Sequence, residues 1–250
     1  MEKYYNYQKY EEFWNLPLSD YHRLLEPFLN DFFNNYLGSH IIEIGFGSGH
    51  LPLILSKQGF EGQYLGVDID PDATNFAQDL IQNNFPSKSN HFKFIVPSEP
   101  DQLISSQKYD LAIFCLSACE MESEIINEYL RNIKADKVLM INPSSTSAYY
   151  PPKITKTWLS KITSRFGSEP KWKLIADLPP LGTQLSIRHL GGDPALKATM
   201  LYRPFGEYVN LLKDAGFQFE RYWDLRYTES NIKTAPVSKF EVVLATKKAL

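Results

Sequence analysis

The stretch "IIEIGFGSGHLPLIL", residues 41–55, decides how this chain is read. A short apolar run reaches three glycines at alternate positions, Gly45, Gly47 and Gly49, and a second apolar segment follows at once. A strand turning sharply into a helix has this form, and glycine at the turn removes the Cβ that keeps a ligand off the backbone. Glycines of this kind also close tight packing corners with no ligand at all. The spacing separates the ligands such a turn takes. A triphosphate loop needs Lys and then Ser or Thr after its last glycine, whereas Gly49 is followed by His50 and Leu51. The dinucleotide fingerprint spaces its glycines first, third and sixth, with a pyrophosphate on the helix end. Here they fall first, third and fifth, and Glu43 stands two residues ahead. A carboxylate there repels a pyrophosphate and suits a ligand carrying positive charge.

On either side of this stretch the chain alternates. Strand-like runs fall at about 41–45, 63–68 ("QYLGVD"), 92–96 ("FKFIV"), 109–116 ("YDLAIFCL") and 137–142 ("KVLMIN"). Helix-like stretches lie near 50–58, 71–84, 100–106 and 121–133. Continuous apolar strands alternating with helices predict an α/β fold, a Rossmann-like doubly wound parallel sheet covered on both faces. Upstream, residues 19–36 set Leu24, Leu25, Phe28, Leu29, Phe32, Phe33 and Tyr36 on one helical face, with Ser19 as N-cap and Gly38 as the stop. Downstream the alternation breaks over residues 143–203, rich in Pro, Ser, Lys and aromatics, which predicts a functional insertion with some helix of its own. "PFGEYVNLLKDAGFQFERYWDL" then reads as a helix from Pro204 to Gly216 and a strand, and "KFEVVLATKK" as a last strand.

Composition narrows the class. At 250 residues and 28.8 kDa the chain suits one domain with a single core. No apolar run approaches the roughly 18 to 20 residues that cross a bilayer. "MEKYYNYQKYEEFW" lacks the pattern of a secretory signal, so a cytoplasmic protein is expected. Cys115 and Cys119, the two cysteines, are read as buried free thiols, and no metal site is expected. A net charge of −3 gives no global nucleic-acid signal. It hides an asymmetry: residues 147–203 carry nine Lys and Arg against three acids, a local +6 that leaves −9 elsewhere.

At "EIGFGSG" the sequence resembles the class I S-adenosylmethionine-dependent methyltransferases, whose first motif reads acid, any, Gly, any, Gly, any, Gly. "YLGVDIDP" places Asp68 where that family puts an acid on the ribose hydroxyls, 25 residues after Glu43. Asp70 is read as the N-cap of a helix starting at Pro71. The third motif departs from the commonest form: "IVPSEPDQL" stands in place of Gly-Asp, leaving Ser98 or Glu99 to meet adenine. "YDLAIFCLSACE" starts with an aromatic and Asp110 as the family does, and its end borders the methyl-transfer site. It has neither the Asn/Asp-Pro-Pro-aromatic tetrad of amino-directed nucleic-acid enzymes nor the Pro-Cys pair of cytosine C5 enzymes.

The resemblance covers about 38–142 and 204–248. It implies one methyltransferase domain over 1–250, with an N-terminal helical cap (1–37), a seven-stranded sheet whose last strand is antiparallel, and a substrate-recognition insertion (143–203) before the final helix. S-adenosylmethionine is the implied cofactor, held by Glu43, Gly45, Gly47, Gly49, Asp68, Ile69, Ser98, Glu99 and Cys115.

Methyl transfer from a sulfonium needs alignment more than acid or base; an amine acceptor must only arrive neutral, while a hydroxyl needs a proton acceptor. His50, His189 and Glu120 are the candidates, each with a structural alternative: packing or solvent for His50, a loop position in "SIRHLGGDP" for His189, and a helix N-terminal acid for Glu120. Tyr4, Tyr5, Tyr7 and Tyr10 form a lid or a packed helix. In the insertion Tyr149, Tyr150, Trp158, Trp172 and Tyr202 interleave with basic residues, which suits an aromatic or anionic small molecule, or RNA by stacking and phosphate contacts. A solvated face accounts for most of those lysines. The expected acceptor is an oxygen or nitrogen of a small molecule. An RNA or protein acceptor, and a cofactor-binding module without catalysis, are the alternatives.

Overall fold

The computed structural model describes residues 20–36, 38–97, 106–144, 201–226 and 238–248, and the backbone of four short strands between 153 and 200. In chain order the strands are β1 (His40–Ile44), β2 (Gln63–Val67), β3 (Phe92–Ile95), β4 (Lys108–Cys115), β5 (Lys134–Pro143), β6 (Lys153–Lys156), β7 (Trp172–Ile175), β8 (Gln184–Arg188), β9 (Lys197–Leu201), β10 (Phe217–Leu225) and β11 (Phe240–Lys247). The α-helices are α1 (Glu26–Asn35), α2 (His50–Lys57), α3 (Pro71–Asn84), α4 (Ser123–Asn132) and α5 (Phe205–Asp214).

Seven strands form one sheet in the order β10–β11–β5–β4–β1–β2–β3, parallel except for β11, which runs antiparallel to both β5 and β10. The chain winds outward from β1 through β2 to β3 and then returns to β4 on the other side of β1. The carboxyl ends of β1 and β4 therefore form the switch point at which open sheets of this kind hold their ligands.

Alternation along β1 builds two core layers. Ile42 and Ile44 join Ala112, Phe114, Val138 and Met140 against α4 and α5, while Ile41 joins Leu111, Ile113, Leu139 and Ile141 against α1, α2 and α3. Glu43 shares the Ile41 face because successive side chains point to opposite sides.

The helix read over 19–36 starts differently. Tyr21–Leu25 is a π-helical turn and regular α-helix begins only at Glu26. Pro27 has no N–H to give the carbonyl four residues back, so the ladder cannot run straight through it. The apolar stripe nevertheless packs inward, with Leu25, Leu29 and Phe33 buried and Phe28 and Phe32 against Trp223 at ring-centroid distances of 5.2 and 6.1 Å. The helix ends at Asn35 with Tyr36 extended, and Gly38 does not adopt the left-handed stop expected of it. Ser19 and the 100–105 part of the expected 100–106 helix lie outside the described residues.

The described part of 143–203 consists of two antiparallel pairs, β6 with β7 and β8 with β9, apart from the main sheet; the helix expected there lies outside the described residues. Among the described residues no helix is long and apolar enough to cross a membrane.

Asp70 caps α3, its side chain accepting from the Asp72 N–H at 2.9 Å with Pro71 next in line. Losing an N-cap carboxylate costs about 1 kcal/mol. Asp70→Ala is expected to lower the calorimetric Tm by about 2–4 °C in a chain of this size and to leave ligand affinity alone. An affinity loss with no change in Tm would move Asp70 from the helix end into the site.

Candidate active site

The loop between β1 and α2 divides its three glycines between two jobs. A Cβ at Gly45 would lie 2.5 Å from the Ser117 Cβ, and one at Gly49 would lie 3.1 Å from the Ala77 Cβ, so these two are packing glycines. Among the described residues a Cβ at Gly47 would meet nothing within 4 Å, and its φ of +54° is one that side chains rarely adopt. Gly47 therefore fronts open space, which packing does not explain. The loop is pinned from beneath by Phe46, buried against Phe94 at 5.1 Å in room left by Gly66 on β2. Neither Phe46 nor Gly66 stood out in the sequence; the signal was an aromatic among the loop glycines and a glycine inside a strand.

Two acids flank this open backbone. Asp68, one residue beyond β2, accepts from the Gly47 N–H at 2.9 Å and from the Asp70 N–H at 3.0 Å. Burial pushes its carboxyl upward, and these N–H bonds pull it part of the way back. Glu43 is 2% exposed and accepts from the Tyr64 hydroxyl. Burial raises its pKa to about 8, with the Tyr64 bond acting against that rise and the Asp68 charge adding to it. Among the described residues neither acid has an ion-pair partner. Beside them Ile69 is 80% exposed and Val96 39% exposed, at the exits of the paired strands β2 and β3.

At the β4 exit Cys115 faces the Glu43 side; burial raises its thiol pKa, and Glu43 and Cys119 raise it further. Cys119 gives its thiol hydrogen to the Leu116 carbonyl, and both sulfurs are free thiols. Leu116 has φ +60°, a left-handed conformation costly for a non-glycine residue. Ser117 then donates to the Ile44 carbonyl at 2.5 Å, tying the β4 exit to the glycine loop. The turn Ala118–Glu120 is held by Arg203, which is 5% exposed. Its guanidinium donates to the carbonyls of Ala118 at 2.7 Å and Met121 at 2.8 Å and to the Ser123 hydroxyl at 3.2 Å, over the Tyr208 ring. The sequence had counted Arg203 among the basic residues of the insertion; the structure makes it a buried strut.

Of the proton-acceptor candidates, Glu120 is exposed in this turn, and the acid in the first turn of α4 is Glu124. His50 opens α2 and packs its ring 5.1 Å from Tyr21. Burial, with His22 and Lys57 adding repulsion, lowers its pKa to about 4, so its imidazole is neutral and weakly basic. His189, Ser98, Glu99 and the N-terminal tyrosines lie outside the described residues. Asp110 serves the opposite edge of the sheet, accepting from the backbone N–H groups of Ser39 and His40 at the start of β1. Glu43, Gly45, Gly47, Gly49, Asp68, Ile69 and Cys115 thus gather at the switch point.

A family profile described as a methyltransferase domain matches residues 37–173. No curated protein sequence matches the chain. Among solved structures, an S-adenosylmethionine-dependent methyltransferase from Mesorhizobium loti superposes with TM-score 0.62 at 16% identity, over 93% of this chain and 100% of that one. Magnesium protoporphyrin IX methyltransferase from Synechocystis PCC 6803, solved with bound S-adenosylhomocysteine, gives 0.55 at 15% identity, over 97% and 94%. A geranyl diphosphate methyltransferase in complex with S-adenosylmethionine gives 0.55 at 13% identity, over 90% and 84%. At these identities the likeness is one of fold.

Proposed function

The chain belongs to the methyltransferase-domain family, as a class I enzyme dependent on S-adenosylmethionine, and we propose that it methylates an oxygen or nitrogen of a small molecule, aromatic or anionic in character. The observation that carries the cofactor's placement is the open front of Gly47 between two acids that have no cation of their own among the described residues. When bound, the cofactor supplies an electrophilic methyl group on a positively charged sulfur.

The residues fit it by chemistry. Glu43 is the counter-charge for its ammonium, Asp68 the acceptor for its ribose hydroxyls, and Ile69 with Val96 the slot for its adenine ring. Gly47 lets the backbone come within contact distance. The Leu116–Glu120 turn, fixed by Ser117 on one side and Arg203 on the other, forms a rigid wall beside the reacting centre. Holding nucleophile, methyl carbon and sulfur on one line is worth about 7–11 kcal/mol, so a dedicated base is not required for an amine. For a hydroxyl, His189 or Glu120 is the assigned proton acceptor, and His50 the weaker one.

The insertion over 143–203 is assigned to acceptor recognition.

The test is incubation with methyl-labelled cofactor and, separately, panels of phenols, carboxylic acids and amines, bulk tRNA, and protein extract. Label is expected in the small-molecule panels. Label confined to tRNA, with affinity falling steeply as salt rises, would transfer the acceptor to RNA; label confined to protein would transfer it to a polypeptide.

A further inference from the structure

Glu43 is an anomaly in electrostatic terms. It is a buried acid whose interacting neighbours among the described residues are neutral or negative. Tyr64 reaches it from β2, Asp68 from the β2 exit, Cys115 from β4, and Tyr21 from the turn preceding α1. No lysine, arginine or histidine among the described residues makes an ion pair with it. A carboxyl so placed stays protonated unless something stabilises its charge, and the one hydrogen-bond donor to it among the described residues is the Tyr64 hydroxyl. Tyr64 is itself buried, at 2% exposed, and burial raises its pKa well above the ordinary phenol value, so it remains a donor.

On the reading of residues 43–69 as the S-adenosylmethionine site, we infer that Tyr64 is a positioning residue for the cofactor's ammonium. Its hydroxyl holds the Glu43 carboxyl and favours the ionised form, so that cofactor binding expels one proton from Glu43 to solvent. The charge balances: a neutral carboxyl and an incoming cation become a carboxylate–cation pair and a released proton. The pair gives the pocket a counter-charge that appears with the ligand. Its other role, as an aromatic packed 5.5 Å from Phe92 and 5.8 Å from Phe94, belongs to the ring and not to the hydroxyl.

Tyr64→Phe keeps the ring and deletes the hydroxyl, so it separates the two roles. Calorimetric titration with S-adenosylmethionine between about pH 6 and 9.5, in two buffers of different ionisation enthalpy, reads both affinity and proton release. For the unaltered chain, affinity is expected to rise by close to tenfold from about pH 6 to 7, with close to one proton released per ligand at neutral pH, before the cofactor's own α-amino group titrates. In Tyr64→Phe the Glu43 midpoint is expected to move upward by about one pH unit, so the loss of affinity relative to the unaltered chain is about tenfold at neutral pH and shrinks toward alkaline pH, the cofactor's own titration being common to both. Urea unfolding of the variant checks that it is folded. An equal affinity loss at every pH would reduce Tyr64 to a packing residue and overturn the inference, as would an unchanged profile. Binding without proton exchange in the unaltered chain overturns this inference alone, while absence of binding at millimolar ligand overturns the cofactor site and the inference with it.

Discussion

Gly47→Asn is expected to lower the affinity for S-adenosylmethionine at least about 100-fold, near 2.7 kcal/mol, while the chain stays folded. Among the described residues nothing stands within 4 Å of a Cβ at Gly47, so an added side chain meets none of them and instead occupies the volume assigned to the cofactor. The backbone cost of φ +54° is small for asparagine, about 1 kcal/mol, because its short polar side chain tolerates the left-handed region. Gly59 supplies the control. It has φ +79°, and its nearest neighbour to an added Cβ is the Lys88 Nζ at 3.9 Å, beyond the end of α2 and away from the switch point. Gly59→Asn carries the same conformational cost and is expected to bind the cofactor normally. Two variants with matched Tm and a 100-fold difference in affinity would place the ligand at Gly47. Equal affinity in both would show that the pocket lies elsewhere.

The division of labour among the three glycines marks the boundary of what the sequence disclosed. Their alternate spacing after an apolar run identified the turn, because a strand followed by a helix leaves its mark in local pattern. That Gly45 answers to Ser117 and Gly49 to Ala77 depends on which strands lie side by side, and spacing along the chain carries no such information. Asp70 was legible as a cap because its partner is two residues away. The Tyr64–Glu43 bond spans 21 residues and exists only through the β1–β2 pairing, which sets Glu43 opposite Gly66. Arg203 illustrates the same limit in reverse: by composition it belonged to a basic insertion, and by position it is buried on the carbonyls of the turn after β4. The π-helical start before α1 needed only Pro27, a local signal masked by the stronger apolar stripe.

Glu43→Gln is expected to move stability and ligand affinity in opposite directions at alkaline pH. In the folded chain the Glu43 carboxyl is raised from its ordinary 4.5 to about 8, so across that window the folded state holds a proton that the unfolded state has released. Stability from this group is fully present below the unfolded value and is lost as pH rises through the folded one, at about 1.36 kcal/mol per pH unit. The full span amounts to an order of 5 kcal/mol. Urea unfolding without ligand at about pH 6, 7 and 8.5 should show the unaltered chain losing stability at close to that slope between pH 6 and 7 and less steeply toward pH 8.5, over and above the slope of Glu43→Gln. The slope is the readout because glutamine leaves a buried amide N–H to satisfy, a constant cost of about 1–3 kcal/mol at every pH. Asp68, whose carboxyl is also raised, contributes to both chains and cancels in the comparison. Cofactor reverses the balance. Bound, it needs the carboxylate, so its stabilising effect on the unaltered chain should grow with pH up to about neutral, where its own α-amino group begins to titrate, while Glu43→Gln should bind weakly with no such rise. Parallel pH slopes in the two unliganded chains would mean that Glu43 is ionised throughout, with a counter-charge of its own before any ligand arrives.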